Sequence, residues 1–130
     1  MRPHEPAQVF NKVPEEYETA FHWINVGVSA DKDSRQNPLN MIKKNYNEDD
    51  LVIMKLDIDT PAIELPIAKQ LTEDSVLANL LDQFYFEHHV RQAELAPYWG
   101  RGPSMNETVA DSLHWFYKMR QLGIPAHFWV

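Results

Sequence analysis

The sequence predicts an α/β fold in which a mostly parallel sheet, with an edge strand at the C-terminus, is flanked by helices. Residues 51–59 read Leu-Val-Ile-Met-Lys-Leu-Asp-Ile-Asp, and six of the first eight are apolar, which is typical of a strand covered on both faces. Residues 83–89 form a second candidate strand, aromatic at first and then polar. About 20 residues with helical spacing separate the two strands, which is the length of a crossover between parallel neighbours.

The chain before these strands predicts an N-terminal arm and the beginning of one α/β domain. Residues 1–20 contain three prolines and scattered charges, so we expect an irregular arm without a core of its own. Residues 21–130 form the predicted domain. Within it, residues 22–28 are rich in β formers and predict a strand, and residues 38–46 predict a short helix.

Helical spacing follows the central strand. Three apolar residues, Ile63, Ile67 and Leu71, share one face of a predicted helix. Pro66 either kinks this helix or delays its start by one turn. A second helical segment, residues 73–81, leads to the aromatic strand.

The last third of the chain predicts a long loop, a helix and a closing strand. Residues 90–103 form the loop, whose length is typical of a functional segment. The capping-box pattern Ser104-Met105-Asn106-Glu107 predicts the start of an amphipathic helix that Gly123 stops. Residues 124–130 predict the closing strand, and Pro125 places it at an edge of the sheet.

Composition excludes several classes of function. The chain has 130 residues and a net charge of −7, from 12 basic and 19 acidic residues, which argues against a nucleic-acid partner. The absence of cysteine excludes disulfides, thiolate nucleophiles and cysteine-ligated zinc. No apolar run approaches the roughly 20 residues of a membrane span, and the first residues contain no signal-peptide core. We therefore expect a soluble protein without a membrane partner, in a compartment that the sequence leaves open.

Polar side chains gather where the two central strands end. Asp57 and Asp59 follow the first strand, and Glu87, His88 and His89 end the second. Ligands bind outside the carboxyl ends of parallel strands, so these groups are candidates to bind a divalent metal or to act as base and acid toward a substrate hydroxyl. Strand alternation puts His89 on the same side as Glu87. His88 is predicted to be a packed, hydrogen-bonded core histidine.

The two aspartates also have a purely structural interpretation. Short acids often end a strand and cap the next helix, and Thr60-Pro61 is a good helix start. Spacing alone favours this interpretation for Asp57 and Asp59. A functional role is favoured for Glu87 and His89, because adjacent strand ends bring them near the aspartates.

The two strand ends also carry a family resemblance. Lys55-Leu56-Asp57-Ile58-Asp59, followed by Phe84-Tyr85-Phe86-Glu87-His88-His89, resembles the second half of an FkbM-type S-adenosylmethionine-dependent methyltransferase domain. The likeness covers about residues 20–130. Three positions depart from the family pattern, since Asp59, Thr60 and Ala62 stand where the family has Glu, Gly and Glu.

The resemblance implies a partial Rossmann-like methyltransferase sheet whose intact form passes a methyl group to a hydroxyl of a small molecule or sugar. It implies that Asp57, Glu87 and His89 are catalytic and that Asp57 and Asp59 bind the cofactor, S-adenosylmethionine. No residue is assigned to a metal on this hypothesis.

The first half of such a domain is not recognisable in the sequence. There is no Gly-x-Gly-x-x-Gly, P-loop or Gly-x-Ser-x-Gly pattern, and only four glycines are present. Methyltransferases of this fold bind the cofactor on a glycine-rich loop after their first strand, and neither that strand nor the second can be placed before residue 22. We therefore expect these 130 residues to be a fragment that binds S-adenosylmethionine poorly, with an exposed sheet edge beside residues 51–57.

Two further hypotheses stay open. The chain could be a non-catalytic α/β interaction module that pairs through its exposed sheet edge with a second copy or another partner. Alternatively, Asp57, Asp59 and His89 could form a divalent-metal site.

Overall fold

The regular elements in the described part of the chain are helices and three short strands. The structure, a computed structural model, describes residues 5–91 and 107–129. In chain order the elements are α1 (Pro6–Phe10), a 3₁₀ turn (Glu15–Tyr17), α2 (Pro38–Asn45), β1 (Ile53–Leu56), α3 (Pro61–Glu73), α4 (Ser75–Leu80), β2 (Gln83–Phe86), α5 (Val109–Gln121) and β3 (Ala126–Phe128). The predicted α/β class is confirmed at this level, because a small parallel sheet is flanked by helices. Most of the predicted loop at residues 90–103 lies outside the described residues.

The three strands form one parallel sheet in the order β1, β2, β3. Leu56 lies opposite Phe86, and Phe84 lies opposite Ala126. The predicted parallel pairing of the first two strands is therefore confirmed. The predicted C-terminal edge strand is also confirmed within the described residues. Pro125 precedes the first residue of β3. Its carbonyl accepts a hydrogen bond from Phe84 N (3.0 Å), and the N–H that proline lacks falls where the strand begins.

One face of the sheet carries the hydrophobic core. Met54, Leu56, Phe84, Phe86 and Ala126 point to this face and are all buried. The helices contribute Leu39, Ile42, Ile67, Ala68, Leu71, Leu77, Ala78, Leu80, Phe116 and Met119 to the same cluster. Burial of this apolar surface contributes a free energy of about 25 cal/mol per Å². It is the main contribution that holds the helices against the sheet.

The opposite face, which we call the open face, consists of Ile53, Lys55, Tyr85, His127 and Trp129. The ring of Tyr85 stacks on His127 with centroids 4.9 Å apart and meets Trp129 edge-on at 6.0 Å. Ile53 is 55% exposed and Lys55 is exposed as well. The expectation that the central strand is covered on both faces is wrong for the described residues, because the buried helix residues all cluster with the other face.

Local signals place the three helices around β1 and β2. The side chain of Asn37 caps α2 by accepting a hydrogen bond from Leu39 N (3.0 Å). Helix α3 begins at Pro61, so Pro66 does not delay its start. The carboxylate of Asp74 caps α4 by accepting hydrogen bonds from two backbone N–H groups of its first turn. The three helices predicted in this part of the chain are confirmed.

Helix α5 begins later than the capping-box pattern at residues 104–107 predicts. Residues 104–106 lie outside the described residues, and Glu107 precedes the helix. A capping box forms between Thr108 and Asp111, with the carboxylate of Asp111 accepting a hydrogen bond from Thr108 N (2.7 Å). The predicted stop is confirmed, since Gly123 follows α5 with a φ of 86°.

Residues 22–28 do not form the predicted strand. Ile24 and Val26 are 63% and 55% exposed, and Val26 N donates to the carbonyl of Ile24 in a tight turn (3.0 Å). A composition rich in β formers makes a strand only where a neighbouring strand and a buried surface are present. Within the described residues nothing pairs with the outer edge of β1, so β1 is an edge strand.

The predicted N-terminal arm contains short helical elements. Helix α1 and the 3₁₀ turn both lie before residue 20. The ring of Phe10 packs edge-on against Phe21 (5.4 Å between centroids) and Trp23 (6.5 Å). The arm therefore has a small aromatic cluster of its own, which crosses the predicted boundary at residue 20.

Candidate functional site

The carboxyl ends of β1 and β2 lie side by side. Glu87 N donates to the carbonyl of Leu56 (3.1 Å), which continues the ladder one residue beyond β2 and brings Asp57 beside Glu87. The two carboxyl groups are close enough to affect each other's pKa. The parallel register of β1 and β2 therefore places the aspartates that follow β1 next to Glu87 and His89, which follow β2.

Glu87 and His89 form a hydrogen-bonded pair. Glu87 Oε2 lies 3.0 Å from His89 Nε2, and their side chains are 12% and 4% exposed. Burial raises the pKa of Glu87, and the neighbouring Asp57 raises it further, while His89 opposes both. A carboxyl group whose pKa is raised toward neutral pH is suited to exchange a proton with a substrate.

Asp59 lies at the exposed side of this pair. Its Oδ1 is 4.0 Å from His89 Nε2, and its side chain is 68% exposed. Its φ is 53°, in the left-handed region that non-glycine residues seldom occupy, although Asp and Asn are enriched there. One ligand atom from each of Asp59, Glu87 and His89 lies within 4.8 Å of the other two.

Asp57 is paired with a lysine of its own strand. Lys55 Nζ lies 2.6 Å from Asp57 Oδ2, and the same ammonium group lies 4.1 Å from the centre of the Trp129 ring. The hydrogen bond from Lys55 lowers the pKa of Asp57. Asp57 is therefore an ionised carboxylate whose charge is balanced by Lys55, and Trp129 holds that lysine in place.

Glu64 stabilises the turn that carries Asp59, although its sequence position did not predict this role. Its side chain is 1% exposed, and its two carboxyl oxygens accept hydrogen bonds from Ile58 N and Thr60 N, at 2.9 Å each. These two amides flank Asp59. The signal that could have found Glu64 is an acid in the first turn of a helix, four residues after its N-cap Thr60, where a side chain can reach back to free amides.

His88 points away from the pair, into the core. Its side chain is 2% exposed and stacks on Phe86, with ring centroids 5.3 Å apart. Its Nε2 lies 2.5 Å from Glu107 Oε2, an ion-pair contact without hydrogen-bond geometry, and within the described residues neither ring nitrogen has a hydrogen-bond partner. Burial lowers the pKa of His88, although Glu107 opposes this effect. The predicted packing in the core is confirmed, and the predicted hydrogen bonding is not found among the described residues.

Other polar and aromatic candidates lie elsewhere. His127 stacks on Tyr85 on the open face, and His114 is exposed on α5. Tyr98 and Trp99, which could line a pocket, lie outside the described residues, as does His4.

Comparisons with known proteins do not identify the chemistry of this site. Comparisons with family models, with curated proteins and with solved structures give no match for this chain. Among the described helices, none has both the length and the apolar character needed to cross a membrane. Function is therefore inferred from the groups that meet at the strand ends.

Proposed function

We propose that Asp57, Glu87 and His89 form the acceptor side of a Rossmann-like, FkbM-type methyltransferase domain, where they take a proton from a hydroxyl of a small molecule or sugar. The resemblance of residues 55–59 and 84–89 supports this proposal. The observation that carries it is the buried Glu87–His89 hydrogen bond beside Asp57, at the ends of two parallel strands. Active sites of open α/β sheets lie at such strand ends.

Each group has a separate part in the proposed proton transfer. Glu87 accepts the hydroxyl proton. Its raised pKa makes it a stronger base than an ordinary carboxylate. His89 holds the Glu87 carboxylate in position through the 3.0 Å hydrogen bond. Asp57, ionised beside Lys55, accepts a hydrogen bond from the acceptor and orients it.

The described residues do not fit a complete cofactor site. The glycines among them are Gly27 and Gly123, and a Cβ atom added to either would meet no atom within 4 Å. Neither glycine is therefore needed for close approach of the backbone to a bound group. The proposal covers the acceptor side alone, and cofactor binding by Asp57 and Asp59 plays no part in it.

NMR titration tests the acceptor site. Simple polyols, sugars and phenols are added to the isotopically labelled chain, and we expect chemical-shift changes at the amides of residues 57–59 and 87–89. Glu87→Gln should weaken these changes, since it removes the proton acceptor, whereas Glu73→Gln, at an exposed position of α3, should leave them unaltered. Shifts confined to other parts of the chain would contradict the proposal.

Calorimetry tests the cofactor side. We expect no measurable heat of binding when S-adenosylmethionine is titrated into the chain, because these residues supply no glycine-rich loop. Micromolar binding would show that the chain makes a cofactor site by other means.

The exposed edge of β1 favours a second candidate function, association with a second copy through the sheet. Leu51 and Ile53 are 75% and 55% exposed, and the outer edge of β1 is unpaired within the described residues. An apolar, unpaired edge is a template for another strand. Light scattering should show a mass that rises with concentration, and Ile53→Lys should suppress the rise. A monomer at high concentration would exclude this function.

A further inference from the structure

We infer that Asp59, Glu87 and His89 hold a divalent transition-metal ion, with Mn²⁺ and Zn²⁺ as the best-fitting candidates. The inference does not rest on the methyltransferase proposal, because it uses the positions of three ligand atoms and needs no methyl acceptor. A metal ion bound to Glu87 Oε2 and His89 Nε2 would replace the hydrogen bond between them. It also departs from the ligand set that the sequence suggests, in which Asp57 takes the place of Glu87.

The distances are close to those of a coordination sphere. Ligand atoms about 2.0–2.2 Å from one metal ion lie roughly 3–3.5 Å from one another. Glu87 Oε2 and His89 Nε2 already meet this condition at 3.0 Å. Asp59 Oδ1, at 4.0 Å from His89 Nε2, needs a movement of about 1 Å, and its side chain is 68% exposed and can rotate.

Two of the three ligands are fixed and the third is adjustable. The side chains of Glu87 and His89 are 12% and 4% exposed, so the surrounding protein restricts their rotamers. Asp59 is held by its backbone, because Glu64 binds the amides on both sides of it. The left-handed conformation of Asp59 thus places a carboxylate at the open side of the Glu87–His89 pair.

The kinds of donor atoms select the class of metal. Two carboxylates and one imidazole suit Mn²⁺, Fe²⁺ and Zn²⁺, whereas Ca²⁺ and Mg²⁺ prefer oxygen donors alone. Three protein ligands leave coordination positions for water or a substrate oxygen, as in catalytic rather than structural metal sites. A hydroxyl bound at such a position would lose its proton more readily.

Charge explains why Glu87, and not Asp57, completes the set. Asp57 already has a cation, Lys55, at 2.6 Å. Glu87 and Asp59 make no ion pair with a lysine or arginine among the described residues. A divalent cation would therefore balance two carboxylates that the described basic side chains leave uncompensated.

Manganese binding is measured directly with the full chain. We expect MnCl₂ to raise the melting temperature and EDTA to reverse the rise, because a ligand of the native state stabilises it by mass action. Electron spin echo spectroscopy of the bound Mn²⁺ should detect a coordinated imidazole nitrogen. His89→Gln should abolish that signal, and His114→Gln, which changes an exposed histidine of α5, should not.

Asp59→Asn is the decisive variant. Asn tolerates the left-handed backbone, and the side chain is exposed, so the variant should fold as the wild type does. Calorimetry should show Mn²⁺ affinity reduced at least about tenfold, or ~1.4 kcal/mol. The matched control is Asp49→Asn, which makes the same change of charge at an exposed acid before β1 and should bind Mn²⁺ as tightly as the wild type.

The outcomes separate the two proposals. Loss of Mn²⁺ affinity in Asp59→Asn and His89→Gln alone supports the metal site whether or not hydroxyl compounds bind. Unchanged affinity in Asp59→Asn, an unchanged melting temperature with Mn²⁺ and Zn²⁺, or an equal loss in Asp49→Asn would each overturn the metal site. None of the three results that overturn the metal site would by itself remove the proposed proton-accepting role of Glu87.

Discussion

Replacing Glu64 by glutamine tests how the turn that carries Asp59 is held. The carboxylate of Glu64 is 1% exposed and accepts two backbone hydrogen bonds, from Ile58 N and Thr60 N. Glutamine has nearly the same size but offers one acceptor oxygen and one NH₂ group. The variant therefore keeps one hydrogen bond and sets a donor against the other backbone N–H, without creating a cavity.

The expected cost follows from these two contacts. A hydrogen bond to a charged acceptor contributes about 1.5–3 kcal/mol, and a buried donor left unsatisfied costs about 1–3 kcal/mol. We expect Glu64→Gln to lower the free energy of unfolding by roughly 2–4 kcal/mol. This is a large part of the ~5–15 kcal/mol that stabilises a typical domain.

Urea denaturation at neutral pH measures the loss, and amide hydrogen exchange locates it. Exchange of the Ile58 and Thr60 amides should speed up more than exchange in the β strands, because their acceptor is the changed group. Glu73→Gln is the matched control, since it makes the same substitution at an exposed position of the same helix and should leave the unfolding free energy close to that of the wild type. If the two variants were equally stable, the carboxylate of Glu64 would not hold the turn.

Three further predictions concern charged groups. The pKa of Asp74 is lowered, first by its lysine partner, so its stabilisation is complete above about pH 3.9 and lost as the pH falls through the folded-state pKa. Asp74→Asn keeps the helix cap but loses the ion pair with Lys43. Urea denaturation at pH 7 should show an unfolding free energy up to about 1 kcal/mol below that of the wild type, and this difference should disappear in acid. Burial lowers the pKa of His88, so the unfolding free energy of the wild type should decrease as the pH falls below about 6.5. In urea melts over the same pH series, the unfolding free energy of His88→Phe should decrease less than that of the control His114→Phe, which keeps His88. Lys55→Met removes the main cause of the lowered pKa of Asp57, and carboxyl ¹³C NMR should show that pKa rising, whereas an unchanged value would exclude the ion pair.

The relative position of the two central strands could be predicted because it follows from chain periodicity. An apolar strand, a helical crossover of suitable length and a second strand leave little choice but parallel neighbours. Their carboxyl ends then coincide, which brings Asp57 beside Glu87. The period of two within a strand was enough to separate His89, which faces Glu87, from His88, which stacks in the core.

The parts that were not predicted depend on contacts between segments distant in sequence. Residues 22–28 have the composition of a strand, but Val26 turns back on Ile24 and no neighbour pairs with them among the described residues. The run at residues 51–56 is apolar enough for burial on two sides, yet Ile53 is exposed because the core forms on the other face. Intrinsic preference is weak compared with such tertiary effects.

The position of Lys55 links the open face of the sheet to the chemistry of the site. Because strand residues alternate, the residue two positions before Asp57 must point to the same side, and there Lys55 reaches both Asp57 Oδ2 and the ring of Trp129. Lys55 is thereby paired with Asp57, one of the three carboxylates that meet at the strand ends. Glu87, whose pKa is raised, and Asp59, which is exposed, are left to share the imidazole of His89. The sequence pattern Lys-x-Asp-x-Asp, which starts in β1 and continues past its end, therefore distinguishes two similar aspartates, since Asp57 is paired with Lys55 and Asp59 lies beside His89.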